Sequence, residues 1–341
     1  MISFYILLFL LCCWGLGRRK PPASGLDRDT TLAIKGIFIF WVFIRHVSGY
    51  LVKSGYTFSR VGDSLFQLIG SCSGQLIVVM FLFYSGYGVM EQIKSKGNDY
   101  VRLIPRKRVL QTLLNFDAAV LIYIALDILL GLNISCRKSF FALIAWDSVG
   151  NSNWYIFVIL LCYLAVYACF RAKRFFDGLD AEIVFVALFF VSFALSMVKP
   201  HWWYNTMLAF PAGMLWSKLR KQIDSILQIR YYCALITCML VFCVLYILPW
   251  EFHGLRNNLL GISFAAMVVI ISGRVKVGNP ALVWLGTNLF PLYIYQRVPM
   301  IVFADLCGDN RVRVFPVLYV VSCLCLTVLF AWLYRFVRIS L

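Results

Sequence analysis

The chain has 341 residues, 62% of them hydrophobic, with a formal net charge of +17 and a mean hydropathy of +0.83. A soluble domain carries roughly 45–50% apolar residues, and here they fall in continuous runs of span length, so a soluble globular fold is excluded. A membrane β-barrel would alternate in strands of about ten residues, which leaves an all-α, polytopic transmembrane helical bundle as the fold class.

The basic excess sits between the apolar runs, so it reads as a topology signal and not as a nucleic-acid surface. Most of the twelve cysteines lie inside apolar runs, Cys12, Cys13, Cys162, Cys238, Cys243, Cys323 and Cys325 among them. They read as small free-thiol packing residues, and no Cys/His cluster has metal-ligand spacing.

Met1–Gly17 is apolar and is followed, not preceded, by Arg18, Arg19 and Lys20, the pattern of a retained first span. Pro21 and Pro22 begin a short polar linker in which Asp29 or Thr30 can cap the next helix. That helix, Lys35–Tyr50, places a cation and an imidazole in hydrocarbon, where ionisable groups usually face the bundle interior and mark a functional path. Lys35 and His46 are eleven residues apart, about three turns and 16 Å along one face. A snorkelling lysine and a histidine satisfied by a neighbouring helix account for the same pair without function.

Further spans are expected at Ser64–Met90, Gln111–Gly131, Ser152–Phe170, Glu182–Val198, Trp203–Ser217, Tyr231–Pro249, Asn257–Gly273, Ala281–Phe303 and Val314–Arg335, making eleven. With Arg18–Lys20 taken as cytosolic, 21 Lys and Arg residues fall in loops on that side and 8 on the other. This predicts an outside N-terminus and a cytosolic C-terminus. Every loop is short, so residues 1–341 read as one integral membrane domain, an extra N-terminal helix at 1–17 and a core from about 31 to 341.

Four stretches can carry chemistry. Phe81–Gly88 ends a span with small residues, Ser85, Gly86 and Gly88, where a ligand or another backbone can approach closely. The basic loop Lys94–Arg108 follows, with Arg106 and Arg108 able to grip phosphate, and Asp117 and Asp127 lie in the next span. Asn151-Ser152-Asn153-Trp154-Tyr155 opens a span with amides suited to a sugar, although Trp154 and Tyr155 also fit an aromatic belt. Gly286–Arg297 contains the helix breaker Pro291 and ends in Gln296-Arg297. His201 and His253 sit beside aromatics in outer loops and read first as interfacial residues.

Taken in order, these stretches resemble acyltransferase family 3, the membrane O-acyltransferases that act on cell-surface polysaccharides. The resemblance rests on Lys35 with His46, Phe81-Leu82-Phe83-Tyr84-Ser85-Gly86, Arg108 to Gln111, Trp154-Tyr155, and Leu285-Gly286 to Gln296, and runs from about Thr31 to the C-terminus. Lys35 replaces the family's usual Arg, Leu82 a Phe, Gln111 a second Arg, and Gln296 a common His, so the bidentate fork at position 35 is missing.

The resemblance implies an acyltransferase of the class transferring groups other than aminoacyl groups. It implies His46 and Lys35 as catalytic residues, with His46 a general base or transient acyl carrier. Arg106, Arg108, Ser85 and Gly86 would serve the donor, and Asn153, Trp154 and Gln296 the acceptor side. No bound cofactor or metal is expected; acyl-CoA, above all acetyl-CoA, is the co-substrate. The implied partners are the bilayer and a polysaccharide or lipid-linked glycan, with self-association into a homo-oligomer left open and no nucleic acid. The implied location is the plasma membrane. A transporter or flippase of lipid-linked glycans is the main alternative, with a structural subunit and a glycosyltransferase behind it.

Overall fold

The structure is a computed structural model that describes residues 2–19, 25–59, 62–172, 180–247 and 253–341, and of these the side chains of all but Cys72 and His253. Lys20, Pro21, Pro22, Arg60, Lys173, Arg174 and Trp250-Glu251-Phe252, and the side chain of His253, thus lie outside the described residues. The fold is helical, with one short two-residue ladder in which Gly17 and Arg18 pair antiparallel with Lys276 and Val275.

The first helix, α1 (Ile2–Cys13), has 12 residues. That is about 18 Å, well short of the roughly 30 Å of a hydrocarbon core. Asn279 ties it to the bundle by donating to the carbonyls of Leu11 (2.7 Å) and Trp14 (3.0 Å). Then comes α2 (Arg28–Lys53), which carries Lys35 and His46. Its cap is Asp27, not Asp29 or Thr30: Asp27 accepts from the Thr30 N–H at 3.0 Å. Arg19 in turn donates to Asp27 at 2.6 Å and to the Thr30 hydroxyl.

The expected single span Ser64–Met90 is two helices, α3 (Asp63–Ser73) and α4 (Leu76–Ile104), parted at Gly74 where φ is +43°. The expected basic loop Lys94–Arg108 is helical as well. Helix α4 runs through it with a kink at Gly97 (φ +57°, ψ −140°), and a π-helical turn, Pro105–Leu110, passes directly into α5 (Gln111–Leu129). Pro105 has no N–H to continue the α ladder, and the turn closes with the Gln111 N–H on the Arg106 carbonyl.

A short α6 (Cys136–Leu143) leads to α7 (Trp154–Arg171) and α8 (Asp180–Ser196). Next come α9 (Ala209–Lys218), α10 (Arg220–Ile247) and α11 (His253–Ser272). The expected span Ala281–Phe303 is three helices: α12 (Pro280–Thr287), α13 (Leu289–Tyr295) and α14 (Arg297–Val314). Pro291 and Pro299 explain both breaks. Each lacks the N–H that would bond the carbonyl four residues earlier, and those carbonyls belong to Thr287 and Tyr295, the last residues of α12 and α13. The chain closes with α15 (Pro316–Val337).

Six helices among the described residues are long and apolar enough to cross a membrane: Arg28–Lys53, the kinked Leu76–Leu129, Trp154–Arg171, Arg220–Ile247, Gly254–Ser272 and Pro316–Val337. The remaining expected spans are shorter helices. Two crossings are unusually close. A Cβ on Gly36 would strike the Leu282 carbonyl and one on Gly286 the Leu32 carbonyl, which locks α2 to α12. Gly86 and Gly213 lock α4 to α9 in the same reciprocal way, against the carbonyls of Phe210 and Phe83. Small residues at such crossings let backbones approach without the loss of lipid-facing packing.

Candidate active site

The two marked residues of α2 sit in different surroundings. At the Lys35 end, Lys35 Nζ lies 5.8 Å from the centre of the Tyr84 ring, close enough to Arg108 for the two positive charges to interact. The π-helical turn orients Arg108 so that its Nε donates to the Tyr100 hydroxyl at 3.0 Å. Beside it opens a cavity of about 330 Å³ lined by Lys107, Arg108, Asn115, Tyr334, Arg335 and Arg338. A second, of about 350 Å³, shares Lys107, Arg108 and Gln111. Guanidinium groups converging on a cleft suit phosphate oxygens. Arg106 lines neither cavity, whereas Lys107, Arg335 and Arg338 line the first.

The C-terminal segment is held over this cleft. The Asn115 amide donates to the Ile339 carbonyl (2.9 Å) and accepts from the Ile339 N–H (2.9 Å) and the Tyr334 hydroxyl (2.8 Å).

From that end a file of hydroxyls and rings leads along the bundle interior. Tyr163 of α7 is within the field of Arg108. The Ser85 side chain neighbours both Tyr163 and Tyr155. Tyr155 meets Phe81 edge-on (centroids 6.0 Å) and Tyr293 (5.3 Å), and the Tyr293 ring stands 6.4 Å from the His46 ring. Thus Lys35, Ser85 and His46 are brought to one path. Gly86, expected beside Ser85, turns its open side to α9 and not to that path.

Around His46 the polar groups are under-satisfied. The Gln296 amide interacts with the imidazole, and its Nε2 donates to the Tyr293 carbonyl at 3.1 Å. His46 Nδ1, Gln296 Oε1, Asn151 Nδ2 and Arg297 Nε are nevertheless buried without a hydrogen-bond partner. A buried polar atom left unpaired costs roughly 1–3 kcal/mol, so such a concentration marks a place kept for something other than stability. Arg297 reaches the Gly150 carbonyl at 3.3 Å, which draws the Asn151-Ser152-Asn153 loop to this cluster. Within that loop Asn153 is spent on structure: its Nδ2 donates at 3.0 Å to the carbonyl of Ala145, a non-glycine residue with φ +58°. Trp154 is half-buried and packs on Tyr155 at 6.2 Å.

The residues of this region that sequence reasoning did not single out are Tyr293, Tyr163, Asn115, Arg335 and Arg338. Only Tyr293 carried a usable signal: Tyr293, Gln296 and Arg297 have the spacing that places side chains on one helical face.

The acyltransferase-domain family model matches residues 32–336, a range that holds Lys35, Ser85, Arg108, Tyr155, Tyr293 and His46. No curated protein and no solved structure matches the chain. Six crossing-length helices and a family match over most of the chain lead to one conclusion: this multi-pass membrane protein belongs to acyltransferase family 3 and is an acyltransferase.

Proposed function

We propose that the protein moves an acyl group, acetyl in the first instance, from cytosolic acyl-CoA to a hydroxyl of a cell-surface polysaccharide or its lipid-linked precursor. The observation that carries this reading is the polar file from Arg108 to His46, which connects a basic cleft at one end of the bundle to an unpaired imidazole towards the other. In this reading the protein lies in the plasma membrane with the C-terminus cytosolic and the N-terminus outside. In the same reading the chain forms one domain.

The donor's phosphates bind Lys107, Arg108 and Arg338, with Lys35 at the inner rim. The acyl-pantetheine arm passes Tyr84 and Ser85. His46 accepts the proton of the acceptor hydroxyl as that oxygen attacks the thioester carbonyl, with Gln296 beside the imidazole. The tetrahedral intermediate collapses to the ester, the CoA thiolate leaves, and the proton passes from His46 to the thiolate. Positioned general-base catalysis of this kind is worth about 10²–10⁴ in rate.

The test is His46→Ala in cells, with mass spectrometry of surface glycans and consumption of acetyl-CoA by the purified protein as readouts. Transfer should fall by about 10²–10⁴ while the protein inserts and accumulates normally; retained acylation would overturn the assignment. Lys35→Arg should keep donor use and Lys35→Glu should weaken it, and equal donor affinity in the two would remove Lys35 from the phosphate site.

A further inference from the structure

A further polar cavity lies away from the file between Arg108 and His46. It measures about 460 Å³ and is lined by residues that include Ser73, Gln75, His201, Asn205, Thr206 and Arg256. Its place in the fold follows from two contacts. A Cβ on Gly70 of α3 would strike the Arg45 guanidinium, so the α3–α4 corner lies at the His46 end of α2, whereas Tyr84, further down α4, lies over Lys35. The cavity therefore opens at the end of the bundle opposite the basic cleft.

The walls are built and not incidental. Asn258 of α11 accepts from the Leu208 N–H and donates to the carbonyls of Tyr204 and Gly254, all at 2.9 Å. This fixes the segment carrying Asn205 and Thr206 against the start of α11, where Arg256 sits. Asn205 and Thr206 are each only 3% exposed. Three polar atoms on the lining residues are nonetheless buried without a partner: Gln75 Oε1, Asn205 Oδ1 and Arg256 Nε.

The lining mixes the hydroxyls of Ser73 and Thr206 with the amides of Gln75 and Asn205 and the one guanidinium of Arg256. An ammonium group is repelled by Arg256, and an inorganic oxyanion meets a single guanidinium there. Hydroxyl groups both donate and accept, and neighbouring hydroxyls on one ring match such a mixed lining. The volume is in the range of small-molecule pockets, roughly 300–1,000 Å³, and among the described residues the lining has no carboxylate.

We propose that this cavity is a saccharide-binding subsite that grips a sugar unit of the acceptor away from the hydroxyl being acylated. The assignment rests on the glycan-acceptor reading above. Gln75 makes no side-chain cap bond to α4, so Gln75→Ala removes a ligand contact without uncapping the helix, and Arg256→Met removes the guanidinium while keeping an apolar stem.

The experiment is calorimetric titration of the detergent-solubilised full-length protein with maltose, N,N′-diacetylchitobiose and glucuronic acid, and with inorganic phosphate as the anion control. It is run on the parent chain and on His46→Ala, without donor. Saturable binding of at least one saccharide to both, weakened roughly tenfold or more by Arg256→Met and by Gln75→Ala, with any phosphate binding unchanged by these two substitutions, supports the subsite. Binding of none of the three saccharides, or affinity in both cavity variants equal to that of the parent chain, overturns it. Acyl transfer to a glycan in a protein that binds no saccharide would sink the subsite and leave the proposed function standing. Saccharide binding without any acyl transfer would do the reverse.

Discussion

Asn115 pairs with Ile339 as a neighbouring β-strand would, its side-chain amide donating to the Ile339 carbonyl and accepting from the Ile339 N–H, both at 2.9 Å. The same amide donates to the Gln111 carbonyl at 2.7 Å and accepts from Tyr334 at 2.8 Å, so one side chain of α5 fixes the end of α15 and the segment after it. The consequence is that Arg338 becomes part of the basic cleft. Both Arg338 and Ile339 lie beyond the stretch matched by the family model, which ends at 336.

Replacing Asn115 should therefore act on donor binding through the tail. Asn115→Ala frees Ile339 and withdraws Arg338, and deletion of residues 339–341 should do the same while Asn115 remains. We expect both to raise KM for acetyl-CoA by roughly tenfold, the worth of one charge-assisted contact, with kcat little changed. Steady-state kinetics of the purified protein decide it. A fall in kcat at constant KM would show that the tail does not contact the donor.

The glycines of α4 separate packing from catalysis. A Cβ on Gly86 would run into the Phe210 carbonyl, whereas one on Gly88 meets nothing within 4 Å. Gly86→Ala should lower folded yield and thermal stability by roughly 1–3 kcal/mol, the usual cost of overpacking. Gly88→Ala should gain up to about 1 kcal/mol from helix propensity. Thermal unfolding in detergent checks both, and equal behaviour of the two would remove the close α4–α9 crossing from the account.

These residues also show how far the sequence could be read. The helical membrane class and the shared face of Lys35 and His46 follow from hydropathy and a 3.6-residue period alone. Gly86 looked like a notch for a ligand, but whether a small residue faces a cavity or another helix depends on Gly213, more than a hundred positions away. The basic stretch before α5 looked like a loop because charge usually marks one, while Pro105, Pro291 and Pro299 held the real information about where helices turn or break. The clamp of Ile339 by Asn115 had no local signature at all.

Ser85 tests whether the enzyme works through a covalent intermediate on a hydroxyl. It neighbours Tyr155 and Tyr163, neither of them a strong base at neutral pH, whereas a serine nucleophile needs an adjacent general base. Ser85→Ala is expected to keep transfer within about tenfold, far from the roughly 10²–10⁴ loss expected when a positioned general base is removed. The decisive readout is single-turnover acylation with labelled acetyl-CoA in the absence of acceptor. Label retained on the protein and lost in Ser85→Ala would make Ser85 the nucleophile.

The cap of α2 predicts an acid limit for the fold. Asp27 is partly buried, which opposes its charge, but the hydrogen bond from Arg19, the bonds with Thr30 and the guanidinium charge outweigh that and hold its carboxyl below the usual aspartate range. A carboxylate whose pKa is lower folded than unfolded contributes stability that is present in full above the unfolded value, about 3.9, and is lost as pH falls through the folded one. Thermal unfolding between pH 7 and pH 3 should therefore show a steeper acid loss in the parent than in Asp27→Asn. That variant keeps the capping oxygen but has no proton to gain, so its curve should start lower at neutral pH and converge with the parent in acid. Parallel curves would mean that the Arg19–Asp27 contact contributes nothing to holding α2 in place.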